Sequence, residues 1–327
     1  MQVCSKAHSE RSTVPMKSLS IDDTSANDSF LTRPCPTCGG TETTDGSIAS
    51  PRPAETLELC ELRRFWQGFF SEKVFFTYRR CAICSLLYAR AYFHDEQLGS
   101  LYAEQLANMS VVTSATLGRT AKDYLNHLRR FAPLSGTYLE IGPDTGIFAG
   151  QCKGAGKFDR MLLFEPNHAV HDALRTAVHG VDMSIEPYFQ HDKVVEGSVN
   201  VATMVHVLDH VVDPIGLARL VRRTLKPDGV LFLVTHDERS LLARVLGGRW
   251  PAYCLQHPQL FNPRTMVRTL REAGYRDVRT IASTNFFPVA FLIQQLCLAA
   301  HIPEPHLPSW LSFDVGLRLG NFITVAR

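Results

Sequence analysis

The chain has 327 residues, 45% hydrophobic and 20% charged, the balance of a folded globular protein and not of a disordered one. Lys+Arg 34 against Asp+Glu 32 leaves a formal charge of +2, which argues against nucleic acid or a membrane surface as a partner. Nine cysteines without an export signal argue for thiols or a metal site over a disulfide framework, and for a cytoplasmic location.

Residues 1–33 are rich in Ser, Thr, Asp and Asn and lack periodic apolar positions, so a disordered tail is expected. Residues 34–95 follow as a small module with two cysteine pairs. In Cys35-Pro36-Thr37-Cys38 and Cys81-Ala82-Ile83-Cys84, each tight turn points two thiols toward one place. Two such turns supply the four sulfurs of a tetrahedral zinc site with no open position, so a structural zinc in a zinc-ribbon-like module is predicted. The 42 residues between Cys38 and Cys81 exceed the usual ribbon interval, and Ser85 stands where a second Gly is expected. Buried free thiols are the alternative.

Residues 96–135 read as a helical linker and the first helices of the next domain. Leu98, Leu101, Tyr102 and Leu106 recur at helical spacing, as do Tyr124, Leu125, Leu128 and Phe131. From 136 to 327, apolar runs at 138–141, 161–165, 199–207, 230–235, 277–283 and 322–326 alternate with helical stretches. That alternation predicts an α/β fold, a doubly wound sheet covered by helices on both faces. The run from Phe286 to Ala300 is interrupted by Pro288, Gln294 and Gln295 and is too short to span a bilayer. It predicts a buried or groove-lining helix.

Tyr138-Leu139-Glu140-Ile141-Gly142-Pro143-Asp144-Thr145-Gly146 is a strand, a glycine turn and the start of a helix near Ile147. Gly142 permits a sharp turn and close approach of a ligand to the backbone. Glu165 ends the next strand, 19 residues after Gly146, where a carboxylate reaches the vicinal hydroxyls of a ribose. A dinucleotide fingerprint would place glycines where Asp144 and Ile147 stand. Glu140 in the same crevice would repel a pyrophosphate and welcome an ammonium or sulfonium group. Electrostatics thus favour S-adenosylmethionine over NAD.

Four segments then match in order: Glu140-Ile141-Gly142-Pro143-Asp144-Thr145-Gly146, Phe164-Glu165-Pro166-Asn167, the run from His206 to Pro214, and Leu225-Lys226-Pro227-Asp228-Gly229. Together they resemble class I S-adenosylmethionine-dependent methyltransferases. The cysteine pairs, with the stretch from His257 to Thr265, are similar to the subset carrying an N-terminal zinc-binding module. The resemblance implies a seven-stranded, mostly parallel sheet with an antiparallel last strand at Phe322 to Ala326. It further implies that Glu140, Gly142 and Gly146 surround the methionine moiety and that Glu165 binds the ribose. Asp144 and His206 complete the expected cofactor set. Asp144 departs from a common Gly, Asn200 from a common acid, and Glu186 is a weak match to the adenine-binding acid.

Methyl transfer needs in-line placement, and a hydroxyl acceptor also needs a base suited to neutral pH. His206, His210 and His236 lie at or just beyond strand ends where such ligands collect, and are the catalytic candidates. Each could instead be a structural histidine bonded to a loop carbonyl. A metal reading of His206, Asp209 and His210 lacks a further ligand at suitable spacing. Residues 239–262 form an insertion with a short amphipathic helix (Leu241, Leu242, Val245, Leu246) and a Gly247-Gly248 turn. It reads as a lid offering Arg249, Trp250, Tyr253 and His257 to substrate, or as a packed surface excursion.

The expectation is a methyltransferase acting on oxygen, nitrogen or carbon of a small-molecule acceptor, with sugars or secondary metabolites suggested by the resemblance. The rivals are a catalytically degenerate partner subunit, an NAD(P)-dependent oxidoreductase and an RNA-modifying protein.

Overall fold

The computed structural model describes residues 30–66, 72–103, 112–300, 302–303, 313–318 and 320–327. Residues 1–29 of the expected tail and 104–111 of the expected helical linker lie outside the described residues.

In chain order, strands β1 (Thr43–Ile48), β2 (Tyr78–Cys81) and β3 (Leu87–Ala89) precede helices α1 (Asp95–Ala103) and α2 (Ser114–Leu128). Then come β4 (Ser135–Ile141), α3 (Ile147–Ala155), β5 (Lys157–Phe164), α4 (His171–Ala177) and β6 (Asp182–Glu186). Next are β7 (Val199–Val205), α5 (Pro214–Thr224), β8 (Leu225–His236), α6 (Leu241–Leu246), β9 (Gln259–Leu260) and α7 (Pro263–Glu272). The chain closes with β10 (Val278–Ala282), β11 (Asn285–Pro288), α8 (Val289–Ala300), β12 (Asp314–Leu317) and β13 (Asn321–Ala326).

Seven strands form one sheet in the order β6-β5-β4-β7-β8-β13-β10. Its first five strands are parallel, whereas β13 runs antiparallel to both neighbours, so the sheet is mixed. Helices on both faces bury these strands, which is why Tyr138–Ile141 and Val230–Thr235 are buried at every position, with no alternation of buried and exposed residues. Phe232 of β8 stacks on Phe148 of α3, 5.9 Å between centroids, in the core on one face. Strand order reverses between β4 and β7, the position at which ligands of open α/β sheets bind, beyond the C-terminal ends of the strands. The bulge at Gly136 and Thr137 is closed by Asn200, whose Oδ1 accepts from the Thr137 N–H at 2.9 Å. The amide in place of the common acid therefore has a local structural partner.

The cysteine segment does not complete its largest sheet by itself. Its four-stranded sheet runs β9-β3-β2-β1, and β9 comes from beyond β8. The aromatic core beneath it mixes Phe75, Tyr78 and Tyr92 with Trp250, Tyr253 and Leu260. The predicted helix over Phe286 to Ala300 begins only at Val289, because Asn285–Pro288 is drawn into an antiparallel pair with β12. Among the described residues no helix is long and apolar enough to cross a membrane.

Candidate active site

The glycine turn follows β4 at this reversal point. Gly142, Asp144 and Gly146 all take left-handed φ values, 70°, 49° and 80°. A Cβ at Gly142 would meet Val207 Cγ2 at 2.6 Å, and one at Gly146 would meet Leu174 Cδ1 at 2.7 Å, so both positions need glycine. The Gly142 N–H donates to the Phe164 carbonyl at 2.8 Å, tying the turn to the end of β5. Glu165, the next residue, accepts from the Asp144 N–H at 2.8 Å and the Asn167 N–H at 2.9 Å. Each carboxylate oxygen keeps a second lone pair for a ligand hydroxyl.

Glu140 is drawn further inward than an open crevice wall would be. It is 1% exposed, because Tyr138, two residues earlier on the same strand face, donates its hydroxyl to Glu140 Oε2 at 2.7 Å. Burial, with a smaller contribution from Glu165, raises the Glu140 carboxyl to about 8. Glu186 ends β6 beside this turn, with its side chain on Lys193 at 2.8 Å.

Beyond β7 and β8, four histidines surround one carboxylate. Asp209 Oδ2 lies 2.6 Å from His236 Nδ1, a hydrogen-bond distance. Ring centroids are 4.5 Å apart for His206 and His236, 4.5 Å for His210 and His257, and 4.8 Å for His236 and His257. Burial lowers His236 against the opposing pull of Asp209, so the neutral ring donates Nδ1–H and leaves Nε2 a free base. Burial drives His206 to about 3, and its φ of 54° marks a left-handed turn at the end of β7. Burial opposes ionisation of Asp209, but His236 and the other imidazoles outweigh it and hold the carboxyl well below its usual range. His206 Nδ1 and Asp209 Oδ1 are buried without a hydrogen-bond partner among the described residues. His236 supplies the third member of a possible metal set that sequence spacing did not provide, with ligand atoms of His206, Asp209 and His236 within 4.8 Å. The short Asp209–His236 contact favours a hydrogen-bonded dyad.

His210 sits apart from the dyad. Its Nε2 is 3.0 Å from His257 Nε2, and its Nδ1 is 3.3 Å from the Tyr102 hydroxyl. His257 Nδ1 donates to the Ala252 carbonyl at 2.6 Å. Burial pulls His257 down, but Cys254, 3.4 Å away, and Asp209 outweigh it and raise the ring to about 9. Tyr102, Cys254 and Asn321, which lies 3.3 Å from His206 Nε2, were not singled out for the site by sequence reasoning. They arrive from separate elements and share no motif.

The insertion bridges two layers. Trp250 and Tyr253, expected among the substrate contacts, are 3% and 4% exposed and packed against each other at 5.2 Å. The apolar face expected of α6 is not fully covered, since Leu241 and Val245 are 78% and 74% exposed. Arg249 lines a cavity of about 770 Å³ with Glu72 and Lys73, on the module side of the insertion.

The four cysteines of the two pairs converge. All four sulfurs lie within 4.8 Å of one another, with Cys35 to Cys84 at 3.4 Å and Cys38 to Cys81 at 3.5 Å. A tetrahedral zinc with bonds of about 2.3 Å requires sulfurs about 3.8 Å apart. Ser85 takes φ 64° beside the 71° of Gly39, so the serine adopts the turn expected of glycine. Backbone N–H groups of Gly40 and Leu86 face the sulfurs of Cys38 and Cys84, the same arrangement in both turns.

A family model described as a methyltransferase domain matches residues 115–280. The ubiquinone biosynthesis O-methyltransferase of Thiobacillus denitrificans is 27% identical over 164 residues, covering 44% of this chain and 66% of that protein. An S-adenosylmethionine-dependent methyltransferase from Thermotoga maritima superposes with a TM-score of 0.43 at 18% identity, over 64% of this chain and 90% of that one. Phosphoethanolamine N-methyltransferase 2 of Haemonchus contortus gives 0.40 at 15% identity, over 63% and 52%.

The Glu140 value has a consequence for stability. An acid whose folded value, about 8, exceeds its unfolded value of roughly 4.3 favours folding fully only below the latter. Stability should therefore decline as pH rises from there through about 8, and Glu140→Gln should flatten that slope in urea unfolding curves.

Proposed function

This chain belongs to the methyltransferase domain family and is a methyltransferase, and on that premise we infer that it moves a methyl group from S-adenosylmethionine to a small-molecule acceptor. The observation that carries this reading is the glycine turn pinned onto Glu165 at the point where strand order reverses. In this reading Glu165 accepts the ribose hydroxyls, and the bare backbone at Gly142 and Gly146 lets the methionine portion approach. Glu140 lies behind the turn as the counter-charge for the ammonium group, whose approach favours its ionised form. S-adenosylmethionine, when bound, supplies an electrophilic methyl with a neutral leaving group.

The acceptor belongs next to the Asp209–His236 dyad. Asp209 holds the His236 tautomer, and Nε2 takes the proton of an acceptor hydroxyl. His206 Nδ1 and Asp209 Oδ1 offer further polar contacts in the same place. His210, bonded on both nitrogens, orients rather than accepts. Support for oxygen in a small molecule comes from the ubiquinone biosynthesis O-methyltransferase relative; sugars and other secondary metabolites remain in the class.

The paired cysteine turns belong to a structural zinc in the same reading. Burial of Cys38, and the Cys35 sulfur beside Cys84, hold those two thiols above their usual range, so a divalent cation is what lets the four ionise together.

Titration with S-adenosylhomocysteine tests the central reading. The wild type should bind it, and Glu165→Ala should weaken binding by about tenfold or more, equivalent to ~1.4 kcal/mol. Binding of NAD in its place would overturn the assignment. For the base, His236→Asn should lower kcat by about 10²–10⁴ and leave S-adenosylhomocysteine affinity near wild type. Metal analysis of purified protein should find one zinc per chain, lost on Cys81→Ser.

A further inference from the structure

The turn after β7 carries His206, Asp209 and His210, and it is held by two buried residues outside the methyl-transfer chemistry. Gln259 of β9 donates from Nε2 to the Leu208 carbonyl at 3.0 Å and the Val211 carbonyl at 2.8 Å. Those two carbonyls flank Asp209 and His210. A glutamine amide can rotate and lose this pattern, but Oε1 accepts from both terminal nitrogens of Arg33, each at 3.1 Å, and that fixes its orientation. Arg33 also donates to the Val212 carbonyl at 3.0 Å, the Ala89 carbonyl at 3.0 Å and the Pro258 carbonyl.

All five N–H donors of Arg33 are therefore used, on a side chain only 6% exposed. Its reach joins three separate pieces: β3, the turn after β7, and Pro258 beside His257. The last two of these bear residues of the histidine cluster. Arg33 stands two residues before Cys35, and its own N–H donates to the Arg90 carbonyl at 2.9 Å. The cysteine turns and the histidine turn are consequently parts of one hydrogen-bonded frame. Lysine has one nitrogen in place of the planar fork and cannot hold these acceptors together.

We propose that Arg33 and Gln259 are positioning residues for methyl transfer, setting Asp209, His210 and His257 relative to His236. The proposal rests on the reading of that cluster as the acceptor site. Its mechanism is displacement: a shift of about 1 Å in a catalytic group costs up to ~10²-fold in rate.

Gln259→Glu and Arg33→Lys test it in the full-length, zinc-loaded protein. Gln259→Glu keeps the acceptor for Arg33 and removes both donors to the turn. For each variant kcat should fall about 10–100-fold, with S-adenosylhomocysteine affinity and zinc content near wild type. Nitrogen-15 spectra of the imidazoles, which need no acceptor, should show altered tautomer signals for His210 and His257. Unchanged histidine signals and unchanged kcat, accompanied only by a lower Tm, would overturn the proposal and leave a packing role. Altered imidazole signals in a protein with no methyl transfer to any acceptor would fault the functional reading but uphold the positioning. If Arg33→Lys does not fold, Gln259→Glu decides the matter alone.

Discussion

One hydrogen bond, from the Gly142 N–H to the Phe164 carbonyl, fixes the level at which strands β4 and β5 stop. Because the turn after β4 is stitched there, Glu165 emerges opposite it and closes the loop through the Asp144 N–H. The same turn has no room for a side chain at Gly142, where Val207 presses from the turn after β7. The glycine turn and the histidine turn are therefore in contact through bare backbone. A substitution at Gly142 would push the two halves of the site apart as well as strain the φ of 70°.

The histidine cluster obeys a different constraint. Four imidazoles in a buried place cannot all carry charge, because desolvation and mutual repulsion both oppose it. One buried carboxylate sets the pattern. Asp209 engages His236, and burial holds His206 and His210 neutral, while Cys254, with a smaller share from Asp209, holds His257 above its usual range. Histidines of similar appearance in the chain are thus set in distinct environments by what each ring meets: a carboxylate at His236, a second imidazole at His210, a thiol at His257.

The parts legible in the sequence are those written contiguously. Parallel strands buried on both faces announce themselves as apolar runs, and the turn from Glu140 to Gly146 holds its geometry within a few residues. The cysteine spacing could be read because each half of the cluster is local. Arg33, Tyr102, Gln259 and Asn321 could not, since each matters through a partner on a different element. Trp250 and Tyr253 looked available to a substrate because an aromatic pair after a glycine turn has no local sign of what it will pack against. Docking of the cysteine segment onto the insertion decided their burial. Glu140 was placed on the correct strand end, but the hydroxyl that pulls it inward belongs to Tyr138, whose own partner Thr203 lies on β7.

The four-stranded sheet draws three strands from the start of the chain and the fourth from Gln259–Leu260. During synthesis the outer edge of β3 must therefore wait, unpaired, until five of the seven strands of the central sheet have been made. The cysteine segment is thus obliged to finish late, and its unpaired strand edge is a liability in the nascent chain until β9 arrives.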